Sequence, residues 1–267
     1  MKKRKIGLAL GAGSARGLAH IGVLKVLVRE HIPVDMVAGT SAGALIGGMF
    51  ASGKTPEEIE SIVRDLISKR YSFFTDLGLP RSGLIRGKRI RDTLKLIHGD
   101  LDFNDLELPF ACMATDINTG EAVMVAEGSV LDAVLASSTL PVLMNTVKWN
   151  GRYLVDGAMV NPIPVNAVKE MGADFVIAVN VSSDGLTKTE TDKAPGLFKI
   201  AINTLHISTS QSLRSSLNGA DVAIQPHLAN LGHFEFQRID ECIEIGIKTT
   251  EDMMPKIKEK LALPSNS

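Results

Sequence analysis

The pentapeptide Gly39-Thr40-Ser41-Ala42-Gly43 sets one hydroxyl between two glycines, each two residues away. It lies where one apolar stretch, Val34–Ala38, gives way to another, Ala42–Ser52. A G-x-S-x-G at a strand-to-helix junction forms a nucleophile elbow. The turn is too tight for side chains two positions on either side, and it pushes the hydroxyl out at the positive end of the next helix. The chemistry would be attack on a carbonyl, with the oxyanion held by backbone N–H groups. The bland alternative is a glycine-rich turn whose serine caps the helix.

A second loop, Gly11-Ala12-Gly13-Ser14-Ala15-Arg16-Gly17, follows the apolar strand Lys5–Leu10 and opens a helix. Successive backbone N–H groups in such a loop cradle an anion. A dinucleotide site is the rival use, and with it an oxidoreductase. That site asks for a third glycine where Arg16 stands and an acid at the end of the second strand. Here Asp35 begins that strand, and the serine turn occupies its end. Gly11, Ala12, Gly13 and Ser14 are therefore read as an oxyanion hole beside Ser41. Arg16 is either a holder of phosphate or carboxylate near the loop or a surface arginine.

A serine nucleophile needs a base. Asp156 follows the strand Tyr153–Val155 and precedes Gly157-Ala158, which leaves room around its carboxylate. The alternative is a turn aspartate bonded to its own backbone. A histidine base would come from His227 or His233, in the order Ser…Asp…His. That order belongs to a fold with several strands before its elbow, whereas Ser41 follows only the second. A carboxylate base would work well below pH 6 unless burial raised its pKa. His20, on the helix opened by the loop, reads as a packing or capping residue.

The elements that position these residues alternate strand and helix, which implies an α/β fold with a mainly parallel sheet between helices. A helix spans Gly17–Glu30. The capping box Thr55-Pro56-Glu57-Glu58 starts another that runs to about Arg70. Tyr71–Ile85 is loop-like and Arg89–His98 helical. Asn118-Thr119-Gly120 and Asn150-Gly151 turn two hairpins, Phe110–Asp116 with Ala122–Val125 and Val147–Trp149 with Tyr153–Val155. Phe175–Val181 is a buried strand. Helices at Leu197–Leu217 and Ile239–Leu261 flank a strand at Val222–Pro226. Only Ser182–Pro195 resembles a linker, so the 267 residues read as one domain.

Composition narrows the classes. The 29 Lys+Arg nearly balance 30 Asp+Glu, and 45% of residues are apolar, which argues against a nucleic-acid partner and against disorder. Cys112 and Cys242 lack metal-ligand spacing and read as buried thiols in a reducing compartment. The apolar run after the charged start ends at Gly11, short for a signal peptide, so a cytoplasmic location is expected. Met36–Gly53 carries no charge, but its five glycines suit a buried strand, turn and helix better than a membrane span. Arg81–Lys95 carries six basic residues against Asp92, just after Phe73, Phe74, Leu77 and Leu79. Residues 71–95 are read either as a peripheral membrane contact, at the inner face, or as a solvated helix face with a few core residues.

The ordered set of glycine loop, G-x-S-x-G and Asp156-Gly157-Ala158 resembles the patatin-like phospholipases, specifically the bacterial group related to the esterase domain of neuropathy target esterase. Gly17-Leu18-Ala19-His20-Ile21-Gly22-Val23-Leu24, Thr115-Asp116 with Thr119-Gly120, Ala136-Ser137 followed by Pro141, and Asn161-Pro162-Ile163-Pro164 support the likeness. It covers roughly 6–168, with 169–267 completing the same domain. It implies a Ser–Asp dyad with Ser41 as nucleophile and Asp156 as base, and an oxyanion hole in the glycine loop. It also implies a phospholipid, lysophospholipid or related fatty-acyl ester as substrate; ester hydrolysis by this route needs no metal or organic cofactor. Plant-type members read D-G-G-G-x-R-G in the loop; here Gly11, Ala12 and Ser14 replace the Asp and two glycines, while Gly13, Arg16 and Gly17 match. A non-catalytic regulator keeping the fold is a further alternative, against which both Ser41 and Asp156 are present.

Overall fold

The computed structural model describes residues 4–68, 88–142, 144–182 and 215–262, with 204, 207, 209 and 213 between the last two stretches. The loop expected over 71–85, the segment 183–195 and most of the helix expected at 197–217 lie outside them. So does 71–87, the larger part of the expected membrane contact.

One eight-stranded sheet carries the fold. Strands β1 (Ile6–Leu10), β2 (Met36–Thr40), β3 (Phe110–Asp116), β7 (Phe175–Val179) and β8 (Val222–Ile224) run parallel, in the order β3-β2-β1-β7-β8. Strands β4 (Ala122–Val125) and β6 (Arg152–Asp156) pair antiparallel with β3, and β5 (Val147–Trp149) forms a hairpin with β6. The strands β1, β2 and β7 are buried along their whole length, which is why they read as unbroken apolar runs instead of alternating ones. Both predicted hairpins form.

The pairing of β3 decides where the site lies. Cys112 pairs with Gly39 of β2 and with Val125 of β4, so those two strands flank it on opposite sides. Ala114 pairs with Val123 of β4 and Asp156 of β6 in the same way. Strands β2 and β6 therefore lie end to end along one edge of β3. Their last residues, Thr40 and Asp156, face the consecutive β3 residues Met113 and Ala114.

Helices cover both faces. Helix α1 (Ala19–Arg29), α2 (Ala42–Ala51), α3 (Pro56–Ser68), α4 (Lys88–His98), α5 (Val130–Ser137) and α7 (Ile239–Ala262) share the larger core with Leu8, Leu10 and Val37. Helix α6 (Val165–Glu170) covers the other face, where small residues Ala9, Ala38, Ala111 and Ala178 let it approach. Gly22 and Gly246 bring α1 and α7 together; a Cβ on either would lie 2.1–2.3 Å from a carbonyl oxygen of the other helix. The capping box at Thr55 forms, with Glu58 N–H donating to the Thr55 hydroxyl and Thr55 N–H to the Glu58 carboxylate. Cys112 and Cys242 are buried free thiols, and burial raises both pKa values.

Three expectations are corrected. The chain from Ser14 to Leu18 is a 3-10 turn, a common lead-in to a helix, so the helix expected from Gly17 begins at Ala19. The second strand sits two residues later than Val34–Ala38 and runs directly into Ser41. Helices α5 and α6 were not foreseen, although Ser129 caps α5 by accepting the Asp132 N–H, and Val130, Leu131, Val134 and Leu135 have helical spacing.

Candidate active site

Ser41 sits between β2 and α2 with φ 54° and ψ −117°. This left-handed backbone is strained for any residue with a Cβ, by roughly 1–3 kcal/mol. The flanking glycines are sterically required. A Cβ on Gly39 would stand 2.4 Å from the Gly43 carbonyl oxygen, and one on Gly43 would stand 2.1 Å from the Leu10 carbonyl oxygen. The Ser41 side chain makes no capping hydrogen bond to α2, so the bland alternative does not describe it.

Ser41 and the Asp156 carboxylate instead line the same cleft, where the serine hydroxyl pulls the Asp156 pKa down. The meeting follows from the sheet: β2 and β6 end against neighbouring β3 residues, and each chain turns away from the sheet at that point. Gly157 permits the second turn, since a Cβ there would come within 2.2 Å of the Met113 carbonyl oxygen. The Thr115 hydroxyl donates to the Asp156 carbonyl at 2.9 Å and fixes the strand end. Asp156 Oδ1 also accepts the Ala158 N–H at 2.8 Å, so the expected turn bond exists as well and orients the carboxylate. Burial pushes the Asp156 carboxyl up to about 6, while the Ala158 N–H and the Ser41 hydroxyl pull it the other way.

Both groups open into a cleft with about 580 Å³ of open space. Ala12, Gly13 and Ser14 form one wall; Leu140, Pro141, Met159 and Leu213 give the cleft an apolar lining. The glycine-loop amides divide into two kinds. Gly11 N–H donates to the Val179 carbonyl and Ala12 N–H to the Pro162 carbonyl, which tie the loop down. Ala15 and Arg16 N–H donate to the His233 and Gly13 carbonyls. Gly13 and Ser14 keep amides with no partner among the described residues, and both line the cleft. The arrangement thus offers a hydroxyl, a carboxyl raised to about 6 and two N–H donors unengaged among the described residues. Those are the parts of acyl transfer.

Other candidates sit elsewhere. Arg16 is fully buried and its Nε donates to the Leu231 carbonyl at 2.8 Å. It does not line the cleft, so the expectation that it touches substrate is corrected: the 3-10 turn carries its side chain under the loop. Neither His227 nor His233 lines the cleft. His20 is buried, and its Nε2 donates to the Gly11 carbonyl at 2.8 Å, bracing the loop from below. Asp35 accepts the Ile6 N–H at the far end of the sheet, away from any ribose-binding position.

The profile of the patatin-like phospholipase family matches residues 8–169. Lysophospholipase NTE1 of Pyricularia oryzae is 27% identical over 286 aligned positions, which take in 98% of this chain and 19% of that protein. An uncharacterized NTE family protein of Mycobacterium tuberculosis is 30% identical over 206 positions, 77% of this chain and 57% of that protein. The chain therefore spans about a fifth of the length of the fungal relatives it matches. Among solved structures, VipD from Legionella pneumophila shares the fold, with a TM-score of 0.62 at 13% identity over 95% of this chain and 67% of that one. With the family profile covering more than half of its residues, the chain belongs to the patatin-like phospholipase family.

Proposed function

We propose that this protein is a serine acyl hydrolase that cleaves fatty-acyl esters of phospholipids or lysophospholipids through a Ser41–Asp156 dyad. Asp156 takes the Ser41 proton as Oγ attacks the ester carbonyl. The Gly13 and Ser14 amides and the N-terminus of α2 hold the oxyanion. Asp156 returns the proton to the departing alcohol, and the acyl group stays on Ser41. Asp156 then deprotonates a water that attacks the acyl-serine, and Ser41 recovers its proton. The chemistry uses no metal or organic cofactor.

The observation that carries this reading is an elbow serine with left-handed backbone that lines one cleft with a buried carboxylate. The lipid substrate is supported by the family, by the lysophospholipase relatives and by the apolar lining of the cleft. Residues 169–267 belong to the same unit in this reading, since β7 and β8 extend the sheet and α7 packs on α1. Action at the cytoplasmic face of a membrane is part of the proposal; among the described residues no helix is long and apolar enough to cross one.

The test is labelling with a fluorophosphonate ester probe, with the modified residue located by mass spectrometry. Label on Ser41, lost when lysophospholipid substrate competes, is expected. A folded protein hydrolysing lysophospholipid while Ser41 stays unlabelled would refute the assignment.

A further inference from the structure

Ser137 ends α5, is fully buried, and takes no part in the steps above. Its Oγ accepts the Ser41 backbone N–H at 2.9 Å. Two residues further on, the Thr139 carbonyl accepts the Asp156 N–H at 2.8 Å. A single turn of chain thus holds the backbones of both members of the dyad. That turn is itself fixed, because the Thr139 hydroxyl donates to the Leu135 carbonyl at 2.7 Å.

The elbow needs such a partner. Thr40 is the last β2 residue paired with β3, so the Ser41 N–H has left the ladder. Its backbone lies in a region that a residue with a Cβ abandons unless its surroundings over-determine it. The Ser137 hydroxyl is the acceptor that keeps the Ser41 N–H satisfied in that conformation.

We infer that Ser137 is a positioning residue for the nucleophile: its hydroxyl pins the Ser41 amide, and so holds Ser41 Oγ in the cleft it shares with Asp156. This rests on the reading of Ser41 as nucleophile and Asp156 as base. Small displacements at a reacting atom cost rate much more than they cost substrate binding, and Ser137 itself does not line the cleft.

The experiment uses Ser137→Ala and counts competent sites with the fluorophosphonate probe. Expected is a fall in kcat per labelled site of roughly tenfold to a hundredfold, with KM nearly unchanged. The acid limb of kcat/KM should also move to higher pH, because the Ser41 hydroxyl, which pulls the Asp156 pKa down, is displaced. Ser137→Thr, which keeps the hydroxyl, should restore both. Should the alanine variant not fold, Ser137→Cys preserves size while offering only a weak acceptor, and the same two readouts apply. Unchanged kcat per labelled site with an unmoved acid limb, alongside a lower Tm, would overturn the inference and leave the dyad standing. Wild-type protein whose Ser41 takes no label would remove the dyad itself.

Discussion

The glycine loop and the elbow leave adjacent parallel strands, and each carries a serine in left-handed backbone, Ser14 at φ 50° and Ser41 at φ 54°. Their surroundings differ in what the strands beside them deliver. The elbow strand β2 abuts the end of β6, so Ser41 meets a carboxylate. Strand β1 runs beside β7, whose Val179 carbonyl ties down the Gly11 amide. The amides differ in the opposite sense. The Ser41 N–H is engaged by Ser137, whereas those of Gly13 and Ser14 remain unengaged among the described residues. One turn presents a side chain and the other a backbone, from the same unusual φ.

The largest effect should separate the two serines. Ser41→Ala should lower ester turnover by roughly a thousandfold or more, with the protein still folded. Ser14→Gly relieves the backbone strain and keeps the amide, so turnover should stay within about tenfold. Equal losses in the two variants, measured with long-chain acyl esters, would erase the distinction.

Asp156→Asn comes next, with a loss of roughly 10²- to 10⁴-fold in kcat, while His227→Ala and His233→Ala should stay within about tenfold. Stability should move the other way. The Asp156 carboxyl stands higher in the folded chain, about 6, than in the unfolded one. Its protonated form is favoured by folding, so that stabilisation is complete below the unfolded pKa near 4 and lost as pH rises through about 6. Asparagine cannot ionise, and up to about 3 kcal/mol should return at pH 8 and almost none at pH 4. Thermal melts at the two pH values check this; an equal change in Tm at both would contradict it.

The pH profile is the third effect. kcat/KM should fall tenfold per unit below about pH 6, as the buried carboxylate protonates. Burial is the exception under which a carboxylate base stops working well below pH 6, and Asp156 falls under it. A half-maximal point near pH 4 would mean that Asp156 is solvated in the working enzyme.

The smallest effect concerns two buried histidines. His20 braces the glycine loop through Gly11, whereas His98 packs over Gly48 of α2 with neither ring nitrogen bonded among the described residues. Burial lowers both to about 4, aided for His98 by the Lys54 charge. A histidine with a depressed folded pKa contributes its stability above about pH 6.5 and loses it as pH falls toward 4. His98→Leu should therefore flatten the acid side of the profile of unfolding free energy against pH by up to about 3 kcal/mol and leave turnover unchanged. His20→Leu should lower turnover as well, since the loop loses its brace.

These regions were unequally legible in the sequence. The elbow was readable because its constraint is local: Gly39, Ser41 and Gly43 shape each other within one turn. Asp156 was readable as a strand end beside a glycine, but nothing local told that β2 and β6 share an edge of β3. That pairing joins distant segments and exists only in the assembled sheet. Ser137 appeared only as part of a short motif, because α5 was not foreseen and the acceptor role of its hydroxyl depends on where Ser41 turns. Arg16 was misread for a related reason. Composition does not tell which way the loop's arginine turns, and the 3-10 turn sends it inward to Leu231.

The end-to-end arrangement of β2 and β6 also ties function to local unfolding. The β5–β6 hairpin lies at the edge of the sheet, and β5 is only three residues long. If this hairpin peels from β3 it carries Asp156 away, while the central strands stay paired. Trp149, the single tryptophan, lies in β5 and packs near Gly128. Its fluorescence therefore reports on the docking that assembles the dyad. In rising urea, activity and tryptophan emission should change together, ahead of the far-ultraviolet circular dichroism that follows the helices and the central sheet.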